Sequence, residues 1–188
     1  MKKLLLSVGL LALVTHAQAN IIAFDLRGTA GSGLLAGNEP GAIVGGSGGA
    51  IGSGITYDDI ANLLTLNVGW GSSQGFTDLS STASASHIHG PTANNNGNGF
   101  TQTAGVLFNL TRSSSAVTGG TFTGAPIPLS EAQETDLLNG KWYINLHTAN
   151  NGGGEIRGFL VQAVPEPSVV VLAALGAGAL LFRLRRRQ

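Results

Sequence analysis

Residues Lys141 to Val161, KWYINLHTANNGGGEIRGFLV, leave this chain few ways to fold. Trp142, Ile144 and Leu146 alternate with Tyr143, Asn145 and His147, the period of two by which a strand buries one face. Asn150, Asn151 and Gly152 to Gly154 then supply turn chemistry, since Asn and Gly tolerate backbone angles that other residues avoid. Beyond the turn, Ile156 and Leu160 alternate with Glu155, Arg157 and Phe159. The pattern predicts a β-hairpin with Trp142, Ile144, Leu146, Ile156 and Leu160 inward. On that register His147, Glu155 and Arg157 share the outward face.

Upstream, the same alternation recurs in short pieces. Asn20 to Arg27 is expected to be a strand with Ile22, Phe24 and Leu26 on one side. Gly28 to Gly54 is rich in Gly, Ala and Ser; it reads as a loop and an edge strand, with Gly45 to Gly49 flexible. Ala50 to Tyr57 and Ile60 to Trp70 predict a hairpin around Asp58 and Asp59. Further strands are expected at 85–89, 104–110 and 118–123. The one helical signal is Ser130 to Leu138. Ser130 stands at the cap with Gln133 three residues on, Glu131 and Glu134 lie at the positive end of the dipole, and Asn139-Gly140 stops the helix. Many short strands, Gly-rich turns and one short helix predict an all-β domain, a single antiparallel sandwich or barrel.

The two ends read as address labels. Lys2 and Lys3, the apolar run Leu4 to Val14 and Ala17-Gln18-Ala19 have the order of a secretory signal peptide cleaved after Ala19. At the other end Pro165-Glu166-Pro167 precedes the apolar run Val169 to Phe182 and then Arg183, Arg185, Arg186 and Arg187. That run is shorter than the ~20 residues that span a bilayer comfortably, and the arginines favour a cytoplasmic C-terminus. A plain tail anchor is the simpler reading of this end. Together the triplet, the short helix and the arginines resemble the PEP-CTERM sorting signal of Gram-negative bacteria. The resemblance implies an inner-membrane-anchored precursor, an exosortase-type processing enzyme as partner, and delivery to the outer surface or the exopolysaccharide matrix.

The chain has no cysteine, so an exported domain of this kind leans on core burial, with a metal as the other available support. Between Asn20 and Val164 the acidic side chains outnumber the basic ones by five. Such a domain lacks the basic surface that nucleic-acid phosphates require, and nucleic-acid binding is set aside.

The motifs HIHGP at 87–91, AGVLFNL at 104–110 and LLNGKWYINLHTANNGGGEIRGFL at 137–160 resemble the CHRD domain, named for its copies in chordin and common in secreted bacterial proteins. Gly48 to Tyr57 with Leu63 to Val68 is similar to that family's Gly/Ala-rich strand pair, and Asn38-Glu39-Pro40 stands where it often has a Val-Pro-Pro turn. The long Gly45 to Gly54 tract and Asn94 to Asn96 depart from the pattern. The resemblance implies an immunoglobulin-like or barrel fold over residues 20–164, between a signal peptide at 1–19 and a sorting signal at 165–188. It brings no established activity.

His87 and His89, two apart on a strand, point the same way and can present two imidazoles to one cation. His147 is the candidate third ligand, and Glu155 is placed to orient an imidazole or close the shell. His-x-His followed by a distant histidine is also similar to copper/zinc superoxide dismutases. The only other histidine, His16, lies in the leader, so a mononuclear copper or zinc site fits and a binuclear one does not. The plainer reading gives the histidines hydrogen bonds to loop carbonyls and pairs Glu155 with Arg157 across the hairpin end. Trp142 reads as core. Trp70, beside glycines, reads as core or as a ring for stacking on sugars.

Enzyme signatures are poor. Gly45-Gly46-Ser47-Gly48-Gly49 spells a nucleophile elbow outside any strand-to-helix turn, and Asp58 and Asp59 project apart. The expected function is that of an exported, non-enzymatic binding or structural protein of the cell surface or extracellular matrix, with polysaccharide or surface proteins as partners. The alternative is a metal protein with copper or zinc on His87, His89 and His147, at its furthest superoxide dismutase-like.

Overall fold

The computed structural model describes residues 20–93, 100–123 and 125–164. The signal peptide with its cleavage after Ala19, the Asn94 to Asn96 loop, and Pro165, Glu166, Pro167 with the apolar run behind them lie outside the described residues. Among the described residues no helix is long and apolar enough to cross a membrane.

The described residues are mostly β, with one sheet of eleven antiparallel strands and one α-helix. In chain order the strands are β1 (Ile21–Gly28), β2 (Gly31–Ser32), β3 (Leu34–Leu35), β4 (Ser47–Asp58), β5 (Leu63–Trp70), β6 (Ala83–His89), β7 (Val106–Asn109), β8 (Gly120–Thr123), β9 (Ile127–Pro128), β10 (Tyr143–Thr148) and β11 (Ile156–Gln162). The helix α1 (Glu131–Leu138) precedes β10. The main path of the sheet runs β2-β1-β4-β3-β11-β10-β6-β7, and β5 joins β4 to β8 and β9. β1 is shared: Ile21–Phe24 pair with β4 and Phe24–Arg27 with β11. Beyond β7 an isolated bridge from Arg112 to Phe122 reaches β8, so the sheet curls back on itself around one core. This architecture is consistent with the sandwich or barrel expected from the sequence.

Alternation builds that core. Phe24 and Leu26 of β1, Leu64, Leu66 and Val68 of β5, and Ile144 and Leu146 of β10 all point into it and are buried. Trp142 is fully buried among them, as expected. The helix also forms where its signals lie. Ser130 accepts from the Gln133 backbone N–H (3.4 Å) while Gln133 accepts from the Ser130 N–H (2.9 Å), a complete capping box. The helix closes at Asn139, with Gly140 at φ 67°.

One expectation is corrected and one alternative is decided. Gly45 to Gly49 is not a flexible loop beside an edge strand: β4 starts at Ser47 and is flanked on both sides, with Gly48 facing Leu34 of β3 and Trp70 of β5. A side chain at Gly48 would sit 2.5 Å from the Gly69 carbonyl oxygen, so the glycine is there for close backbone approach rather than for mobility. Trp70 is no sugar platform. It is fully buried, stacks on Phe122 with ring centroids 5.0 Å apart and donates from Nε1 to the Ala116 carbonyl (3.3 Å). Its strand partner Gly120 provides the room, since any side chain there would collide with the indole. The sequence reading also missed β9, only two residues long.

Candidate metal centre

Strands β6, β10 and β11 lie side by side, and their register builds a row of polar side chains on the face turned away from the core. His89 pairs with Tyr143, and His87 with Asn145; Tyr143 and Asn145 pair in turn with Phe159 and Arg157 of β11. His147 stands opposite Ala85, diagonal to His87 and within reach of an imidazole. The face expected to be outward is in fact covered. His89 and His147 are each 8 % exposed, Asn145 3 %, Arg157 1 % and Glu155 fully buried. The cover comes from the segment around Asn38 and Glu39, from residues 100–104, and from the turn at 150–154.

The three imidazoles meet. His87 Nδ1 lies 3.0 Å from His147 Nε2, and His89 Nε2 lies 3.4 Å from the same atom. One ring nitrogen from each of the three falls within 4.8 Å of the others. Backbone carbonyls hold the far side of two rings: His89 Nδ1 donates to Ala104 O (3.0 Å) and His147 Nδ1 to Gly152 O (2.9 Å). Those bonds place the proton on Nδ1 of the neutral rings and leave both Nε2 atoms with a lone pair, 3.4 Å apart. Ligating histidines are commonly oriented in this way. A single proton on His87 Nδ1 can serve its contact with His147. The 3.4 Å contact between two Nε2 acceptors has no proton of its own, and that arrangement favours a cation between them. Two nitrogens bound to one tetrahedral metal at ~2.0–2.1 Å stand about 3.3–3.4 Å apart.

Burial is the main reason all three imidazoles sit below the ordinary histidine value. For His87 the neighbouring His147, His89 and Arg112 add to it. For His89 the Ala104 carbonyl opposes it, while His147 and Arg157 reinforce it. For His147 the Gly152 carbonyl opposes it and Arg112 reinforces it. The rings are therefore neutral at neutral pH, the state in which imidazole binds metal. Tyr143 backs the site, its ring stacked on His89 (centroids 4.9 Å) and covered on the other side by the Arg157 guanidinium at 4.8 Å.

Glu155 and Arg157 do not pair across the hairpin end as the sequence suggested, and Glu155 meets no imidazole. The Glu155 carboxylate accepts from the backbone N–H of Gly46 (3.0 Å) and of Ser80 (2.7 Å), and from Ser80 Oγ (2.5 Å), Thr148 Oγ1 (2.7 Å) and Asn151 Nδ2 (3.2 Å). Burial pushes its pKa up, and these hydrogen bonds outweigh that and hold it below the ordinary range. Arg157 instead donates to the carbonyls of Asn38 (3.0 Å), Gln102 (3.2 Å) and Phe100 (3.0 Å), with Glu39 Oε2 3.9 Å from its Nε.

Sequence reasoning missed Glu39. It is 7 % exposed, its Oε1 has no hydrogen-bond partner, and the nearby Asn145 Oδ1 has none either. Burial raises its carboxyl to about 7, with Arg157 pulling the other way. Glu39, His89, Tyr143, Asn145, Gly152 and Arg157 line a cleft of about 490 Å³ beside the histidines. No local spacing could have revealed a partnership between residues 39 and 157.

The model of the CHRD domain matches residues 33–160, more than two thirds of the chain. The chain belongs to the CHRD domain family. The match encloses His87, His89, His147, Glu155, Arg157 and Glu39, so the whole face is part of the CHRD domain rather than an appendage to it. CHRD domains are typical of secreted proteins. No curated protein and no solved structure matches the chain.

Proposed function

We propose that this CHRD protein is an exported, non-enzymatic component of the cell surface or extracellular matrix, binding polysaccharide or surface proteins there. The CHRD match over residues 33–160 carries the reading, and the acidic balance of the domain and the signal-like ends support it. In this account the chain is cut after Ala19, held in the inner membrane by the run Val169 to Phe182, and handed on by an exosortase-type enzyme that reads Pro165-Glu166-Pro167. Cell fractionation tests it. The wild-type protein is expected at the outer surface or in the matrix, and a variant with Pro165, Glu166 and Pro167 changed to alanine is expected to stay in the inner membrane. Equal distribution of the two would overturn the sorting account, and a cytoplasmic wild-type protein would overturn export altogether.

A second reading rests on one observation, the ring nitrogens of three histidines that converge within 4.8 Å. It makes the domain a mononuclear metal protein, with copper or zinc held by His87, His89 and His147. Arg157 and Tyr143 would hold the ring of His89 in place, and the carbonyls of Ala104 and Gly152 would fix the tautomers. Metal content is the test. About one equivalent of copper or zinc in untagged protein, absent from the His87→Ala/His89→Ala variant, is expected; no metal in either after loading would end this reading.

A further inference from the structure

The charges around the three imidazoles bear on which ion they would hold, an inference that rests on the metal reading above. All three ligands are neutral rings, so an ion bound there keeps its full formal charge. The usual compensation for a dication, a carboxylate or thiolate ligand, is not supplied by the cluster. Glu155 commits its lone pairs to Ser80, Gly46, Thr148 and Asn151. Glu39 lines the neighbouring cleft beside Arg157. Two fixed cations stand close by: Arg157, seated over the Tyr143 ring that stacks on His89, and Arg112, bound to Ser84 and Ser86 of the strand that carries His87 and His89.

Both cations are held in place by the fold. Arg157 is bound by three backbone carbonyls and seated over the Tyr143 ring that stacks on His89. Arg112 donates to the Ser84 carbonyl (3.0 Å) and to Ser86 Oγ (3.5 Å) on the strand that carries His87 and His89. Each guanidinium repels a dication twice as strongly as a monocation. For a cation about 10 Å away at an effective dielectric of about 20–40, one extra unit of charge costs roughly four- to sixteenfold in affinity. Three neutral nitrogens can fill the shell of a three-coordinate monocation, whereas zinc(II) on three histidines takes a water as its fourth ligand and keeps its charge.

We infer that the His87/His89/His147 site selects copper(I) over zinc(II) and copper(II), because three neutral ligands and two fixed guanidiniums favour the ion of lower charge.

The test uses the exported protein as recovered from cells, without a histidine tag. Copper(I) affinity is measured anaerobically by competition with bicinchoninate, and zinc(II) affinity by competition with a fluorescent zinc chelator. One equivalent of copper(I), bound at least about fifteenfold more tightly than zinc(II), is expected from the combined effect of the two guanidiniums. Arg112→Gln is expected to narrow that ratio roughly four- to sixteenfold by strengthening zinc(II) binding, and Arg112→Lys, which keeps the charge, to restore it. Zinc(II) bound as tightly as copper(I) and lost in His87→Ala/His89→Ala would overturn the selection and leave the metal reading standing. A folded Arg112→Gln variant with an unchanged ratio would also overturn it. Binding of neither ion by the wild-type protein would overturn both readings together.

Discussion

The three strands β6, β10 and β11 have two faces, both buried and built on opposite principles. On one face Ile88, Ile144, Leu146, Ile156 and Leu160 are fully buried against the rest of the core, and contact with other apolar side chains is all they need. On the other, His87, His89, Asn145, His147 and Arg157 are covered by loops and met by directional partners, chiefly the carbonyls of Asn38, Phe100, Gln102, Ala104 and Gly152. The first face tolerates any shape that fills space. The second requires specific oxygens in specific places, and it still leaves Glu39 Oε1 and Asn145 Oδ1 without partners. A face that served only to close the fold would have little reason to bury imidazoles and a guanidinium.

The largest effect is expected on the apolar face. Leu146→Ala removes a fully buried side chain and leaves a cavity, so it is expected to lower stability by about 3–4 kcal/mol in urea unfolding. A loss below about 1 kcal/mol would mean that this face is loosely packed and that the contrast between the faces is false.

Arg157→Met asks the same question of the polar face. It leaves the carbonyls of Asn38, Phe100 and Gln102 short of a donor and Glu39 without its cation, at an expected cost of about 3 kcal/mol. An Arg157→Met variant as stable as the wild-type protein would show that the guanidinium is kept for the site alone.

How far the sequence could reveal these two faces follows from the range of their contacts. The alternation in Trp142 to Leu146 and the cap at Ser130 are local signals, and the structure follows them closely. The His-x-His spacing likewise placed His87 and His89 on one side of β6. Whether their face was open or covered depended on segments more than a hundred residues away from Arg157, such as Asn38 and Glu39, and no periodicity records that. Glu155 and Arg157 look like an obvious ion pair at a spacing of two. The fold gives each a better partner set, amides and hydroxyls for the carboxylate and carbonyls for the guanidinium. The glycines at 45–49 misled in the opposite direction, because a glycine required for close packing and one required for mobility are the same letter.

Glu39 makes the polar face sensitive to pH. Its carboxyl titrates at about 7 in the folded protein against an ordinary 4.5, so between those values the folded state holds a proton that the unfolded chain has released. Stability from this group is therefore complete below about pH 4.5 and is lost as the pH rises through about 7, by up to about 3 kcal/mol. Glu155 works the other way. Its lowered pKa adds stability above the ordinary range, and that stability disappears as the pH falls through its folded value. The three imidazoles, held below their ordinary value, add stability as the pH rises towards about 6.5, so the alkaline fall due to Glu39 is read in urea unfolding against a Glu39→Gln reference across about pH 4 to 8. Glu39→Gln is expected to flatten the alkaline side, and an unchanged slope there would place the carboxyl in better-solvated surroundings than its burial implies.

The smallest effect on folding is expected at His87, and it separates the two accounts of the histidine row most sharply. His87 is the least buried of the three imidazoles, and its Nδ1 faces the Nε2 of His147. If the row exists to hold an ion, His87→Ala without metal removes one neutral hydrogen bond at a half-open position and is expected to change stability by no more than about 1 kcal/mol. Adding copper or zinc should then stabilise the wild-type protein alone. A ligand that binds only the folded state contributes about 2.7 kcal/mol at a hundred times its dissociation constant, whereas the variant, with two nitrogens left, should respond weakly. If the row is instead a hydrogen-bonded brace, the order reverses: the metal-free variant would lose about 2 kcal/mol or more, and metal would leave both melting temperatures where they were. The two outcomes cannot both hold, because a site whose nitrogens are needed by each other has none to offer an ion.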